Sequence, residues 1–127
     1  MPLVRIDCSL PLSPEQLRAA GDAVHAAVAD VLKVPPDDKF QVLVAHSPVG
    51  LNVAPSYLGV DHSEALVVVQ VTLNGGRSVE VKRAFYRRVA DDLHAAVGVR
   101  REDVIISLIE VAKENWSFGN GEAQYAT

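Results

Sequence analysis

Three groups in this chain could do chemistry unaided, and each also has a plainer reading. Pro2 directly follows Met1. If the methionine is removed, Pro2 becomes a terminal secondary amine. Ordinary α-amino groups titrate near ~7.7–8.0, so modest shifts decide their role. An apolar pocket favours the neutral amine, a base or nucleophile, whereas a nearby carboxylate favours the ammonium, an acid. The plainer reading is a leader residue with no chemical part. Arg77 follows Gly75-Gly76 and precedes a predicted helix. A guanidinium can hold a carboxylate bidentately, and glycines let the backbone come close. By residue type alone, a solvated helix-start arginine is the favoured reading of Arg77. Asp38, with Asp37 beside it, falls in a helix-to-strand turn, where aspartate is also common.

Other chemistries find little support. His25, His46, His62 and His94 do not follow a metal-ligand spacing. His25 and His94 are expected to face solvent on helices, and His46 is expected to end a strand near the candidate site, as a weaker candidate. No Ser-His-Asp arrangement, phosphate loop or dinucleotide fingerprint occurs. The single cysteine, Cys8, excludes an internal disulfide and a cysteine-based zinc site, and reads as a small buried hydrophobe.

The elements that must position these groups follow from periodicity. Pro2 to Ser9 alternates as a strand. Ser13-Pro14-Glu15-Gln16 is a helix start, with a capping serine, proline at the first helical position and glutamine closing a capping box. Leu17, Ala20, Val24, Val28, Val31 and Leu32 form one helical face, and Pro35-Pro36 ends it. Phe40 to Ala45 is a second strand. Residues 46 to 64 read as a long loop with a short strand near Leu51 to Ala54. Ala65 to Leu73 is so rich in Val and Leu that it predicts a strand buried on both faces. A second helix runs from about Ser78 to Val97, with Val81, Phe85, Val89, Leu93 and Val97 inside, and Gly98 stops it. Val104 to Val111 is the last main strand, before an aromatic, Gly-rich tail.

The chain also repeats itself. At a shift of 65 residues Ser13 falls on Ser78, Glu15 on Glu80, Val24 on Val89, Asp38 on Asp103 and Leu43 on Leu108. Each half reads as strand, helix, strand, and such a unit crosses over right-handedly. The expectation is a mixed α/β (α+β) fold: a four-stranded sheet from two β-α-β repeats, about 2–64 and 65–111, with both helices on one face and a tail over 112–127. All 127 residues are read as one domain. An apolar sheet face left bare by only two helices predicts an oligomer. Hydrophobic residues make up 49% of the chain and its net charge is −4, which argues against an electrostatic nucleic-acid binder. No apolar run reaches the ~18 residues of a membrane span, the start lacks signal-peptide character, and a reducing, cytoplasmic setting is expected.

A two-fold β-α-β pattern beginning at Pro2 resembles the tautomerase superfamily, and most closely its malonate semialdehyde decarboxylase branch. The carrying segments are Met1-Pro2-Leu3, Val34 to Gln41, Gly75-Gly76-Arg77 and Asn115 to Tyr125. The resemblance implies a homotrimer without cofactor and an amino-terminal proline exposed by loss of Met1. It implies that Pro2 acts on a carbonyl, Arg77 anchors the substrate carboxylate, Asp38 handles protons, and Trp116, Phe118 and Tyr125 wall the pocket. Some relatives carry two arginines in the loop where this chain has Gly75 and Arg77. Leu12 replaces an arginine of the 4-oxalocrotonate tautomerases, which weighs against a muconate-type dicarboxylate. The implied activity is decarboxylation of a small 3-oxo acid. The alternatives are keto-enol tautomerisation of a 2-keto acid such as phenylenolpyruvate, or a non-catalytic trimer that binds a small acid or a protein.

Overall fold

The computed structural model describes residues 1–126. Strand β1 (Leu3–Cys8) leads into helix α1 (Pro14–Val31) and strand β2 (Gln41–Ala45). A 3-10 turn (Pro48–Gly50) and a small hairpin of β3 (Ser56–Tyr57) and β4 (Val60–Asp61) follow. The second unit is β5 (Val67–Asn74), α2 (Val79–Val97) and β6 (Val104–Val111), with a 3-10 turn at Lys113–Asn115 opening the tail. The expected short strand at Leu51–Ala54 does not form. The pairing segments are Ser56–Tyr57 and Val60–Asp61, because Leu58-Gly59 supplies the two left-handed residues that a tight hairpin turn needs.

The main sheet has the order β2-β1-β5-β6. β1 runs parallel to β2, β5 runs parallel to β6, and β1 and β5 meet antiparallel in the centre. The central register pairs Val4 with Val71 and Ile6 with Val69. The 65-residue shift exchanges these two pairs, so the two units are related by an approximate two-fold axis between them.

Local chemistry fixes the helix starts as expected. Ser13 Oγ accepts from Gln16 N at 3.1 Å, while Ser13 N donates to Gln16 Oε1 at 2.9 Å. Ser78 Oγ accepts from Val81 N at 3.2 Å. α1 stops at Val31, before Pro35-Pro36 is reached, because Lys33 already takes a left-handed conformation. One apolar cluster joins Ala20, Val24, Ala27 and Val28 of α1, Phe85, Val89 and Leu93 of α2, and the buried faces of β1 and β5.

β5 corrects the expectation of a strand apolar on both faces. Val67, Val69, Val71 and Leu73 are buried against the helices, but the other face carries Val68, Gln70, Thr72 and Asn74. The open sheet face is therefore polar at its centre. Its well-exposed apolar residues are Leu3 at the head of β1 and Val42 on the edge strand β2, both about 40% exposed, and Ile109 on the opposite edge strand.

The repeated aspartates have diverged. Asp103 is buried and accepts from Ser63 N at 2.7 Å and Ser63 Oγ at 2.6 Å, so it joins the loop after β4 to the second unit. Asp38 is only half-buried and its carboxylate has no hydrogen-bond partner among the described residues. Replacing Asp103 by Ala leaves the half-buried Ser63 N–H and hydroxyl without their shared acceptor and should remove about 1–3 kcal/mol of stability. Asp38→Ala should stay within about 0.5 kcal/mol of the parent. Urea unfolding of the two variants checks this difference.

Candidate functional site

Pro2 is buried at the head of β1. Val4 N donates to Phe40 O at 2.9 Å, which brings the turn before β2 to the same end of the sheet. The antiparallel pairing of Leu3 with Thr72 brings the end of β5 there as well. Three segments distant in sequence therefore meet at the chain start: the Asp38–Phe40 turn, the Asn74–Arg77 turn, and the tail after β6.

The Asn74–Arg77 turn is held from β6. Glu110 Oε2 accepts from Gly76 N at 3.0 Å, and Glu110 also pairs with Lys82. The Lys82 contact and the Gly76 bond keep the Glu110 carboxyl below its ordinary pKa. Gly76 has φ +121°, a conformation that disfavours a side chain, and a Cβ on Gly75 would come within 3.1 Å of Glu110 Oε2. The two glycines thus have a steric reason.

Arg77 is half-buried and anchored. Its Nε and one terminal nitrogen donate to Leu32 O at 3.2 and 2.9 Å, and the other terminal nitrogen donates to Asn74 O at 2.9 Å. Leu32 caps the C-terminus of α1, where unpaired carbonyls attract a cation. Three of five N–H donors are engaged, so the guanidinium is fixed while two donors remain for an anion. The side chain lines a shallow cleft with Leu32, Lys33, Gly76 and Ser78 and is not part of the lining of the cavity at Pro2.

Asp38, Arg77 and Lys113 all act electrostatically on the amino group of Met1, whose nitrogen lies one residue before Pro2. Burial lowers the pKa of that amine below its ordinary 8.0. Arg77 and Lys113 push it the same way, and Asp38 opposes them. Asp37 is exposed and makes no such contribution. The Asp38 backbone N–H donates to Pro35 O at 2.9 Å, which sets the turn that carries it.

The tail supplies an apolar wall. A cavity of about 470 Å³ is lined by Pro2, Leu3, Phe40, Asn115, Trp116, Ser117 and Phe118. Trp116 stacks on Phe118 with centroids 5.2 Å apart, Phe40 meets Phe118 at 5.6 Å, and Tyr125 stands edge-on behind it at 5.3 Å. Of the three expected wall residues, Trp116 and Phe118 line the cavity, and Tyr125 braces Phe118. Trp116 Nε1 donates to Asn74 Oδ1 at 2.8 Å, and Gln124 ties the tail loop through Phe118 N and Gly119 O.

His46 is not near Pro2. β2 runs parallel to β1, so His46 emerges at the opposite end of the sheet, where its Nε2 lies 2.6 Å from Asp7 Oδ1. His25 is half-buried and bonds Pro36 O at 2.7 Å, whereas His94 is exposed as expected. The Cys8 thiol is buried against Leu10 O, and burial raises its pKa, the environment of an inert thiol. Sequence reading missed Phe40, taken only as a strand start, Asn74, which falls just beyond the predicted strand, and Lys113, which carries no local signal. The related position in the other repeat has no such site: Val67 sits mid-chain, Leu12 stands for Arg77, and Asp103 is consumed by Ser63.

The charges around the chain start give a signed test. In the chain that retains Met1, Asp38→Asn should lower the α-amine pKa further, and Arg77→Gln should raise it. The pH dependence of α-amine acylation measures both shifts.

Comparison with known proteins agrees with this arrangement. Two family models, both described as tautomerase enzyme, match residues 38–119 and residues 2–56. The probable tautomerase YusQ of Bacillus subtilis is 37% identical over 124 residues, covering 98% of each chain. Among solved structures, the FG41 malonate semialdehyde decarboxylase inhibited by 3-bromopropiolate is 41% identical. Its TM-score is 0.87, with 97% of this chain and 93% of that one covered. A fused 4-OT described as a symmetric trimer is 25% identical with TM-score 0.79, covering 98% of both. The chain belongs to the tautomerase superfamily, and its fold and the enzymatic character of its relatives follow from that membership.

Proposed function

We propose that this chain, once freed of Met1, is a cofactor-independent decarboxylase of malonate semialdehyde or a similar small 3-oxo acid. The observation that carries the reading is the meeting of an aromatic-walled cavity at Pro2 with one carboxylate and two cations that act on the chain-terminal amine. The likeness to the FG41 malonate semialdehyde decarboxylase supports the choice of substrate.

In this reading the two remaining N–H donors of Arg77 hold the substrate carboxylate. Pro2 then provides an electron sink at the oxo carbon by one of two routes. Neutral Pro2 adds to the carbonyl, water leaves, and the iminium accepts the electron pair released with carbon dioxide. The resulting enamine takes a proton at carbon and is hydrolysed to the aldehyde. Alternatively, protonated Pro2 donates to the carbonyl oxygen and stabilises the enolate directly. Burial of the chain start favours the first route and Asp38 favours the second. In either, Asp38 is placed to move the proton that the carbon receives. Trp116 and Phe118 exclude water, which strengthens the Arg77 contact.

A second reading keeps the site and changes the reaction to keto-enol tautomerisation of a 2-keto acid. The description of YusQ as a probable tautomerase favours it. We also propose a homotrimer, supported by the apolar flanks of the open sheet face and by the trimeric fused 4-OT neighbour.

Incubation of the processed protein with malonate semialdehyde should release carbon dioxide, and borohydride should trap one adduct on Pro2 if the iminium route operates. Isomerisation of phenylenolpyruvate without carbon dioxide release would replace the first reading by the second. Pro2→Ala should lower kcat by about 10²–10⁴-fold. Arg77→Gln should lower kcat/KM by about 10–100-fold, mainly through KM. Unchanged turnover in Pro2→Ala would overturn both enzymatic readings. Sedimentation equilibrium at three chain masses checks the trimer.

A further inference from the structure

We propose that association of this chain with further copies of itself is pH-dependent through the Arg5–Asp7–His46 cluster: the open sheet face docks while His46 is neutral and comes apart when His46 gains a proton. The inference rests on the homotrimer proposed above and adds a control to it.

The cluster lies on that face. Val4, Ile6 and Cys8 of β1 are buried in the core, so Arg5 and Asp7 alternate with them on the open side. The register sets Val42 and Val44 of β2, and Gln70 and Val68 of β5, across from Arg5 and Asp7. His46 follows β2 in the same alternation, and its Nε2 lies 2.6 Å from Asp7 Oδ1. Arg5 adds two donors to the same carboxylate, Nε at 2.8 Å and a terminal nitrogen at 3.1 Å. None of the residues that β2 and β5 set against the pair is ionisable. On β6, beyond β5, the same face carries Ile105 and Ser107, and the 3-10 turn after His46 is Pro48-Val49-Gly50, so neither brings a charge.

The geometry also fixes where the proton goes. Burial alone would raise the Asp7 pKa, but the hydrogen bonds from Arg5 and His46 outweigh it and hold the carboxyl below its ordinary range. An ionised carboxylate only accepts, so Nε2 of His46 carries its hydrogen toward Asp7 and Nδ1 is the nitrogen that takes a proton. Gly50 packs against that nitrogen, since a Cβ there would stand 3.0 Å from Nδ1. Nδ1 has no hydrogen-bond partner among the described residues. No buried side-chain polar atom there lacks a partner, so solvent reaches Nδ1 in the single copy. With His46 neutral, the charges of Arg5 and Asp7 cancel, and a paired set can be covered by a second copy. A proton on His46 leaves one positive charge without a counter-charge. Water solvates it in a free copy, whereas docking withdraws it from water and symmetry repeats it in every copy. Free copies therefore hold the proton more tightly than the assembly, and association weakens as pH falls.

Sedimentation equilibrium of the processed full-length protein tests this at about pH 7.5 and about pH 5, the range in which imidazoles change charge. At one ionic strength, the dissociation constant of the parent assembly should rise about tenfold or more on acidification. Two variants remove the proton site. His46→Gln keeps a donor for Asp7, and His46→Phe keeps the ring volume. Both should assemble at the higher pH and hold the same dissociation constant at the lower one. Far-UV circular dichroism at both pH values should stay parental, because the copies separate without unfolding. A parent assembly indifferent to acid overturns the inference, as does an acid response that survives in both variants. Loss of helical signal in step with dissociation also overturns it, and so does failure of both variants to assemble at the higher pH, which would mark His46 as a structural brace. A parent that is monomeric at the higher pH overturns the trimer reading and this inference with it, which is distinct from a trimer that ignores acid.

Discussion

The antiparallel pairing of β1 with β5 is the constraint on which the rest depends. Each β-α-β unit alone is internally parallel and would leave its first strand as an edge. Joining the units through β1 and β5 buries Val4, Ile6, Val69 and Val71 in one core. It also fixes where the chain begins. The register that pairs Leu3 with Thr72 carries the end of β5 past the start of β1 and sets the Asn74–Arg77 turn beside it. A one-residue slip would turn Val4 and Ile6 away from the helices and move the turn out of reach, so core burial and site geometry enforce the same register.

That two-fold arrangement makes the asymmetry of the site informative. Equivalent backbone positions exist at both ends of the sheet, yet only one end has a chain start. There the aspartate has no hydrogen-bond partner among the described residues and an arginine is pinned to the end of α1. At the other end the matching aspartate is buried on Ser63 and a leucine fills the matching loop. One repeat has spent its polar groups on holding the fold, and the other has left them to act on the chain-terminal amine. Anchoring also differs in kind across the site. Arg77 is fixed by carbonyls, Trp116 by an amide, and Phe118 by stacking, so each group is oriented by a neighbour that takes no charge of its own. The ionisable groups are left to act on the amine.

Much of the fold was legible in the chain itself. The capping serines, the helical faces and the strand at Val104–Val111 are local, and local rules place them. The 65-residue repeat gave the architecture because duplicated patterns imply duplicated units. β5 was misread because a run of valines hides its alternation: Gln70, Thr72 and the terminal Asn74 alone mark the polar face, and periodicity is weak when five of eight residues are Val or Leu. His46 was misplaced because strand direction, which decides the end of the sheet at which a residue emerges, leaves no trace in local composition.

The sequence by itself determined the elements, the repeat, the proline behind Met1, the glycine pair before Arg77 and the aromatic tail, since each follows from residue type and short-range spacing. Tertiary structure alone decided which of these meet. Asp38, Asn74, Arg77, Lys113 and Trp116 are far apart in the chain, and no periodicity relates them. They are brought to one amine because strand pairing is a long-range choice, made by the burial of a common core. Phe40, Asn74 and Lys113 owe their place at the site to that choice, and so does the lowered pKa of the chain-terminal amine, which burial sets and no single neighbour in sequence could.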